Sequence, residues 1–359
     1  MRMQILHVVG ARPNFMKVAP VLRALGEYPQ ASQILVHTGQ HYDDAMSAVF
    51  FRQLEMPEPD INLGVGSGSH AEQVAKVMLG FEPVLRVRRP DLVLVYGDVN
   101  STIAAALVCS KLGIRVGHVE AGLRSGDRAM PEEINRMLTD QISDLLFTPS
   151  EDANENLKTE GIDLSRVHLV GNVMIDTLVR LLDRTEEFFP ENITPPYVLI
   201  TLHRPSNVDD MNWLREFTGT LADLSRRIPV VFPVHPRTRK NLSAVQLPTD
   251  ACLRLLEPLP YLQFLALQRR AALVITDSGG IQEETSFLGI PCLTVRENTE
   301  RPITLTLGTN QVVGRDPKRI YAAAIASLKD LDGRLHVPKP LPLWDGKAAL
   351  RIAQILLES

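Results

Sequence analysis

With 359 residues the chain is long enough for two domains, each with a full core. A formal net charge of −4 argues against a nucleic-acid binder with its basic stripe, and no apolar run approaches membrane-spanning length. Three cysteines (Cys109, Cys252, Cys292) without a CxxC pair fit a reducing cytoplasm and give neither a disulfide framework nor a zinc site.

The opening MRMQILHVVGARP has too short an apolar run for a signal peptide and reads as a first strand with its turn. Strands are predicted at ILHVV (5–9), QILVHT (33–38), LVLVYG (92–97), RVGHVE (115–120), LLFTP (145–149) and VHLVG (167–171). Helices are predicted between them at Phe15–Leu25, His70–Val87, Thr102–Lys111 and Glu132–Ser143. This βα rhythm predicts a doubly wound parallel sheet. At Gly171 the pattern changes. A helix-like run to about Glu187 leads into FFPENITPPY, whose Pro190, Pro195 and Pro196 make it the best linker candidate. The rhythm restarts with YVLITLH (197–203), PVVFPVH (229–235), LRLLEPL (253–259), ALVITDSGG (272–280) and PCLTV (291–295). The expectation is an α/β chain of two Rossmann-like domains, 1–172 and 173–344, with a cleft between them and a final helix at Ala348–Leu357.

Several strand ends carry chemistry. GARPNFMK (10–17) opens a helix, where backbone donors bind anions and Arg12 and Lys17 add charge; an ordinary βα turn with two solvated bases is the plainer reading. The absent GxGxxG weakens a nicotinamide-cofactor reading. GVGSGS (64–69) has the wrong spacing and reads as a loop, and HYDD (41–44) reads as a solvated helix start rather than a metal site. Asp98 follows a strongly apolar strand and either acts in a cleft or organises the turn before a helix near Ser101. HVEAGLRSGDRAMPEEINR (118–136) concentrates titratable groups beyond a strand end, including His118, Glu120, Glu132 and Glu133. Pro131 suits a first helical position, and Glu132 with Arg136 makes either a surface pair or part of a site. Glu133 points about 100° away from Glu132, so at most one of them faces a given ligand. In TDSGGIQEE (276–284), a Ser-Gly-Gly turn between a buried strand and a helix suits a diphosphate. Glu284, a turn further on, suits a ribose, and a plain tight turn is again the alternative. His203 in TLHRPSN is either a proton carrier or a packed structural group, and His235 in PVHP has a weaker claim.

GARPNFMKVAP, GDVNST, VGHVEAGLRSGD, PEEINR, GN-x-x-ID, the HR of TLHRPSN, PVHP, TDSGGIQEE and NTERP together resemble the non-hydrolysing UDP-N-acetylglucosamine 2-epimerases, in order and over nearly the whole chain. The resemblance implies a GT-B fold, UDP held mainly by the second domain, a last helix (345–359) that rejoins the first, and a homodimer acting on a UDP-sugar. On matching positions, Arg12, Lys17 and Arg301 correspond to diphosphate contacts and Ser278, Gly279 and Gly280 to the phosphate-binding turn. Glu284 corresponds to the ribose ligand, and Leu259 and Phe264 fall where the uracil pocket is lined. Asp98, Glu120, Glu132 and His203 match the catalytic group.

The chemistry of such a reaction fits this inventory. Carbon 2 of an N-acetylhexosamine is not beside a carbonyl, so its hydrogen is barely acidic. Expelling UDP from carbon 1 first acidifies it. The site then needs cations around the diphosphate and bases near carbon 2, with no redox cofactor or metal. It must also hold UDP and 2-acetamidoglucal together until addition to the other face.

The sequence departs from the family at two places. Members activated by UDP-N-acetylglucosamine at a second site are expected to carry Gln-His-Arg-x with glutamine in the fourth position, and later an Arg-Gln pair. Here Gln40 and His41 are kept, Asp43 stands at the expected glutamine, and Gly68 and Ser69 replace Arg-Gln, while Arg204 and His235 match. Allosteric activation is therefore expected to be absent or altered. The connection from Asp127 to Pro131 is also short, which leaves a modified UDP-acetamido sugar as an alternative substrate. A hydrolysing epimerase would begin with a Gly-Ser-Arg-like motif. A GT-B glycosyltransferase or a nucleotide-sugar sensor without turnover would share the fold but does not call for the four catalytic positions.

Overall fold

The computed structural model describes residues 2–40, 51–242, 245, 252–329 and 340–358. Two compact units make up the chain: Met1–Arg180 with Pro342–Ser359, and Leu181–Leu341.

In the first unit β1 (Met3–Val9), β2 (Ala31–His37), β3 (Ile61–Asn62), β4 (Leu92–Tyr96), β5 (Val116–Val119), β6 (Leu145–Thr148) and β7 (Val167–Leu169) form one sheet in the order β3-β2-β1-β4-β5-β6-β7. Every neighbouring pair is parallel. Parallel strands are covered on both faces and so read as continuous apolar runs; LVLVY of β4 is buried at all five positions. Leu6, Val8, Val36, Val93 and Val95 pack with Phe81 and Leu85 of helix His70–Arg88 and Ala105 and Cys109 of helix Asn100–Leu112. Helix His70–Arg88 starts in a capping box, Ser69 Oγ accepting from Glu72 N at 3.3 Å and Glu72 Oε2 from Ser69 N at 2.9 Å.

The second unit repeats the plan with β8 (Val198–Thr201), β9 (Val230–Pro233), β10 (Leu253–Leu256), β11 (Leu273–Thr276), β12 (Cys292–Thr294) and β13 (Asn310–Val312), in the order β10-β9-β8-β11-β12-β13. Each sheet therefore has one place where consecutive connections run to opposite sides, between β1 and β4 in the first and β8 and β11 in the second. Ligands of doubly wound sheets bind beyond the carboxyl ends of the strands at such a point.

Two differences from the sequence reading concern the join. FFPENITPPY is not the link between the units. It lies inside the second unit, where Ile193 is a buried core residue and the Phe189 ring lies 4.2 Å from the Arg270 guanidinium carbon. Prolines there mark irregular backbone, not a gap in packing. The first unit runs on to Arg180 rather than ending at 172, because helix Val173–Leu181 is tied into it. Thr177 Oγ1 donates to Met16 O at 2.6 Å, and Asp176 accepts from the backbone N of Ala348 (3.1 Å) and Ala349 (2.7 Å). The latter two bonds satisfy two of the free N–H groups at the start of the last helix, Ala348–Leu357. Just before that helix, Trp344 Nε1 donates to Pro149 O at 3.0 Å.

Gly171 shows how tightly this return segment is held. At φ +90° a Cβ there would lie 2.1 Å from Leu343 O, whereas Gly113, at φ +67°, has open space around it. Gly113→Ala is expected to cost about 1 kcal/mol, the usual penalty of a left-handed L-residue. Gly171→Ala should cost about 2 kcal/mol more, because backbone must shift. Urea unfolding of both variants checks this, and equal midpoints would contradict the tight docking.

Candidate active site

In the first unit the ends of β1, β4 and β5 meet at the switch point. Gly10 follows β1, and a Cβ there would lie 2.2 Å from Ser101 Oγ, so the turn admits only glycine. Asn14 Oδ1 accepts from Gly10 N (3.0 Å) and Ala11 N (3.1 Å), and its Nδ2 donates to Tyr96 O at 2.8 Å, which fastens the β1 turn to the end of β4. Arg12 is half-buried in the first turn of helix Arg12–Gly26. Lys17, a turn further along, is only 5% exposed, and its ammonium pairs with the buried Glu120 carboxylate. Room for that pair comes from Gly97, at φ +61°, whose Cβ would lie 2.5 Å from Lys17 Nζ and 3.2 Å from Glu120 Oε2. Glu120 itself adopts φ +72°, a left-handed conformation costing about 1–2 kcal/mol. Its N–H and that of Ala121 both donate to Phe147 O at 3.0 Å.

Beneath this pair His118 is wedged, with Nδ1 2.7 Å from Asp140 Oδ1 and Nε2 2.7 Å from Gly97 O. Burial pushes the Asp140 carboxyl up, but His118 and Arg124 outweigh it and hold the group below the usual carboxylate range. Asp140 also accepts from Gly122 N at 3.1 Å.

Asp98 is half-buried and pairs with Arg136. It does not cap the next helix, whose N-cap is Val99. Nor does Arg136 pair with Glu132, four residues earlier, as its spacing suggests. Its Nη2 and Nε reach Glu133 Oε2 at 2.6 and 3.1 Å, because Glu133 and Arg136 share the buried face of helix Pro131–Ile142. Glu133 also accepts from Ser125 N (3.0 Å) and Gly126 N (2.8 Å). Burial opposes its ionisation, yet these donors hold its carboxyl below the usual range. Glu132 is half-buried, and its side chain makes no hydrogen bond or ion pair with the described residues. The Glu133–Arg136–Asp98 chain is the feature that sequence spacing missed; the i, i+3 interval was its one signal.

The second unit builds its own cluster where β8 and β11 end. Asp277 is fully buried and accepts from His203 N (3.1 Å), Arg204 N (3.0 Å) and Asn207 Nδ2 (3.0 Å). His203 Nδ1 lies 3.0 Å from the same carboxylate. Burial would raise the Asp277 pKa, but His203 and these donors keep it below the usual range. The His203 side chain is 50% exposed, so its other ring nitrogen is the one open to a ligand. Ser278 is the N-cap of helix Gly279–Leu288, and Gly279 and Gly280 lie partly exposed in its first turn. A Cβ on Gly279 would lie 2.4 Å from Arg301 Nη1. Arg301 is held by Glu283 (2.7 Å) and Glu300 (2.6 Å), and Glu300 also takes Arg296 at 2.8 Å. Glu284 is buried and accepts from Tyr261 Oη at 2.7 Å; burial pushes its carboxyl up to about 7. Leu259 and Phe264 are partly buried against the apolar cluster of Tyr197, Leu199 and Val274, leaving apolar surface open.

Two residues of the expected second-site motif, His41 and Asp43, lie outside the described residues, as does the rest of HYDD. Gln40 is buried and its Oε1 accepts from Ser101 N (3.2 Å) and Oγ (2.7 Å). Ser69 is the N-cap of helix His70–Arg88, and a Cβ on the preceding Gly68 would lie 3.0 Å from Glu72 Oε2. His235 is exposed, and Arg204 Nη2 lies 3.8 Å from Glu300. Among the described residues no group of three His, Cys, Asp or Glu side chains is arranged to hold a metal ion, and no helix is long and apolar enough to cross a membrane.

The family model for UDP-N-acetylglucosamine 2-epimerase matches residues 23–357. A UDP-N-acetylglucosamine 2-epimerase of Methanococcus maripaludis is 42% identical over 335 residues, 90% of this chain and 91% of that one. A UDP-2,3-diacetamido-2,3-dideoxy-D-glucuronate 2-epimerase of Pseudomonas aeruginosa is 40% identical over 368 residues, 99% of each chain. The crystal structure of Methanocaldococcus jannaschii UDP-GlcNAc 2-epimerase in complex with UDP-GlcNAc and UDP matches with a TM-score of 0.89 at 40% identity, over 99% of this chain and 100% of that one. The fold is thus the α/β, two-Rossmann fold of the GT-B kind. On the strength of this full-length likeness, the chain belongs to the UDP-N-acetylglucosamine 2-epimerase family.

Proposed function

We propose that this enzyme interconverts UDP-N-acetylglucosamine and UDP-N-acetylmannosamine in the cytoplasm, by elimination of UDP and re-addition. The observation that carries the reading is the full-length family match together with the retention of Asp98, Glu120, Glu132 and His203. Elimination breaks the bond from carbon 1 to the diphosphate oxygen and removes the proton from carbon 2, giving UDP and 2-acetamidoglucal. Re-addition re-forms the first bond and returns a proton to the opposite face of carbon 2.

We assign the diphosphate to Arg12, to the Ser278–Gly279–Gly280 turn at a helix N-terminus, and to Arg301. Lys17 is assigned a fixed positive charge that serves Glu120 directly, in keeping with their ion pair, besides the leaving diphosphate. Glu284 takes the ribose hydroxyls, and Leu259 and Phe264 the uracil. Asp98, Glu120 and Glu132 are the proton-transfer and electrostatic groups. His203, its Nδ1 fixed by Asp277, stabilises or protonates the leaving phosphate. We also propose a homodimer. Ala75, Leu79, Pro83 and Val87 recur every fourth residue on the exposed side of helix His70–Arg88, with Leu79 74% and Val87 79% exposed. Such an apolar stripe on a folded unit suits a partner surface.

The 40% identity to the Pseudomonas enzyme over 99% of both chains supports a second reading, a UDP-diacetamido-glucuronate substrate. Side-by-side kinetics decide between them: kcat/KM should be larger for UDP-N-acetylglucosamine by at least about 100-fold, the size of discrimination that a few polar contacts supply. The opposite ratio transfers the function to the second sugar. The same assay, started from UDP-N-acetylmannosamine, should proceed without a lag or added UDP-N-acetylglucosamine, because Gly68 and Ser69 stand in place of the expected Arg-Gln pair and Ser69 is spent on a helix cap. Strict dependence on that nucleotide sugar would contradict this.

Glu284 gives binding a pH dependence. With its free-state pKa raised to about 7, the carboxyl must lose a proton to accept two ribose hydroxyls, so binding releases a proton below that pH. Affinity for UDP-N-acetylglucosamine should rise up to about tenfold per pH unit toward 7 and flatten above it. Calorimetry should find a weaker and flat profile in Glu284→Gln; a flat wild-type profile would remove Glu284 from the ribose site. For the dimer, Leu79→Asp with Val87→Asp should shift sedimentation from dimer to folded monomer, and an unchanged dimer would place the interface elsewhere.

A further inference from the structure

We infer that Arg136 is a positioning residue that couples the Asp98 carboxylate to the backbone of the Ser125–Gly126 turn. The inference rests on the proton-transfer role proposed for Asp98. Arg136 is 2% exposed, and its guanidinium faces two different carboxylates. Nη1 meets Asp98 Oδ2, while Nη2 and Nε meet Glu133 Oε2 at 2.6 and 3.1 Å. Glu133 in turn receives Gly126 N on Oε1 at 2.8 Å and Ser125 N on both oxygens at 3.0 and 3.1 Å. A continuous chain of charge-assisted hydrogen bonds thus runs from Asp98 to loop backbone. The preceding residue in sequence completes the grip: Asn135 Nδ2 donates to Asp98 O at 2.8 Å. Asp98 is held at both its side chain and its carbonyl from one helix, Pro131–Ile142.

The turn at the far end of this chain lies at the surface, with Ser125 partly exposed and Gly126 exposed. Gly126 adopts φ +73° with nothing within 4 Å of where its Cβ would be. A sugar that repositions the Ser125–Gly126 turn therefore draws on Glu133, then on Arg136, and so on the orientation of Asp98. An arginine is required because its fork serves both carboxylates at once; a lysine offers a single point charge.

Arg136→Lys, which keeps the buried charge but loses the fork, tests this. With UDP-N-acetylglucosamine as substrate, kcat should fall on the order of 100-fold, as expected of a small misplacement of a reacting group, with KM nearly unchanged. In Arg136→Ala, added guanidinium ion at millimolar concentration should restore kcat in a saturable way, with a rise in melting temperature no larger than its binding to the folded protein supplies. A purely structural arginine would show neither the kcat-only loss nor the rescue. Unchanged kcat in Arg136→Lys, or losses in kcat and KM together without rescue, overturns the inference. If Arg136→Ala shows no melting transition, the kcat-against-KM split in Arg136→Lys decides alone. Wild-type turnover is read first on both UDP-sugars: its absence removes the reaction reading and this inference with it. Turnover with an unaffected Arg136→Lys removes the inference only.

Discussion

The buried ion pair between Lys17 and Glu120 is the constraint around which the first unit is arranged. A carboxylate placed beyond a strand end and out of water is tolerated only with a partner; removing one member of such a pair leaves an uncompensated charge at a cost of about 3–5 kcal/mol. Several local features follow from accommodating it. Glycine is needed at 97 because the lysine ammonium occupies the place of a side chain there. Glu120 accepts a left-handed backbone, and Phe147 O anchors that conformation through two N–H groups. The β1 turn, fixed by Asn14 and closed against Ser101, delivers helix Arg12–Gly26 so that its second turn carries the ammonium to the carboxylate.

The same principle recurs with different residues. Asp98 is answered by Arg136, and Asp140 by His118 and Arg124. In the second unit buried acids serve as scaffolding: Asp277 holds the His203–Arg204 backbone, and Glu283 and Glu300 hold Arg301. Groups able to meet substrate are thereby fixed before it arrives, which is the condition for electrostatic stabilisation without reorganisation. Glu132 differs. It is partly exposed and has no ion pair with the described residues, so its environment is completed by ligand or solvent.

Much of this was legible in the sequence for physical reasons. Strands buried on both faces are continuous apolar runs, so β1, β4, β8 and β11 could be placed, and with them the turns that carry Lys17, Asp98, His203 and Ser278. The short edge strands Ile61–Asn62 and Asn310–Val312 could not, since two or three residues at a sheet margin carry no period. Helix Ala348–Leu357 was plain from its composition, but its anchor on Asp176 is a contact between residues 172 apart. The proline-rich stretch near 190–196 misled as a linker because proline records backbone conformation and says nothing of packing. Spacing suggested a Glu132–Arg136 pair, whereas burial selected Glu133, whose face points into the unit. Local periodicity gives elements; which charge meets which is decided by tertiary burial.

The central claim is that these held charges drive loss and return of the carbon 2 proton with UDP as the departing and returning group. The most direct measurement is proton and phosphorus NMR of UDP-N-acetylglucosamine with the enzyme in heavy water. Deuterium at carbon 2, accumulating with intact UDP-N-acetylmannosamine, is the predicted result. Appearance of UDP-N-acetylmannosamine with its carbon 2 hydrogen retained, or of free UDP with deuterated N-acetylmannosamine, would contradict it.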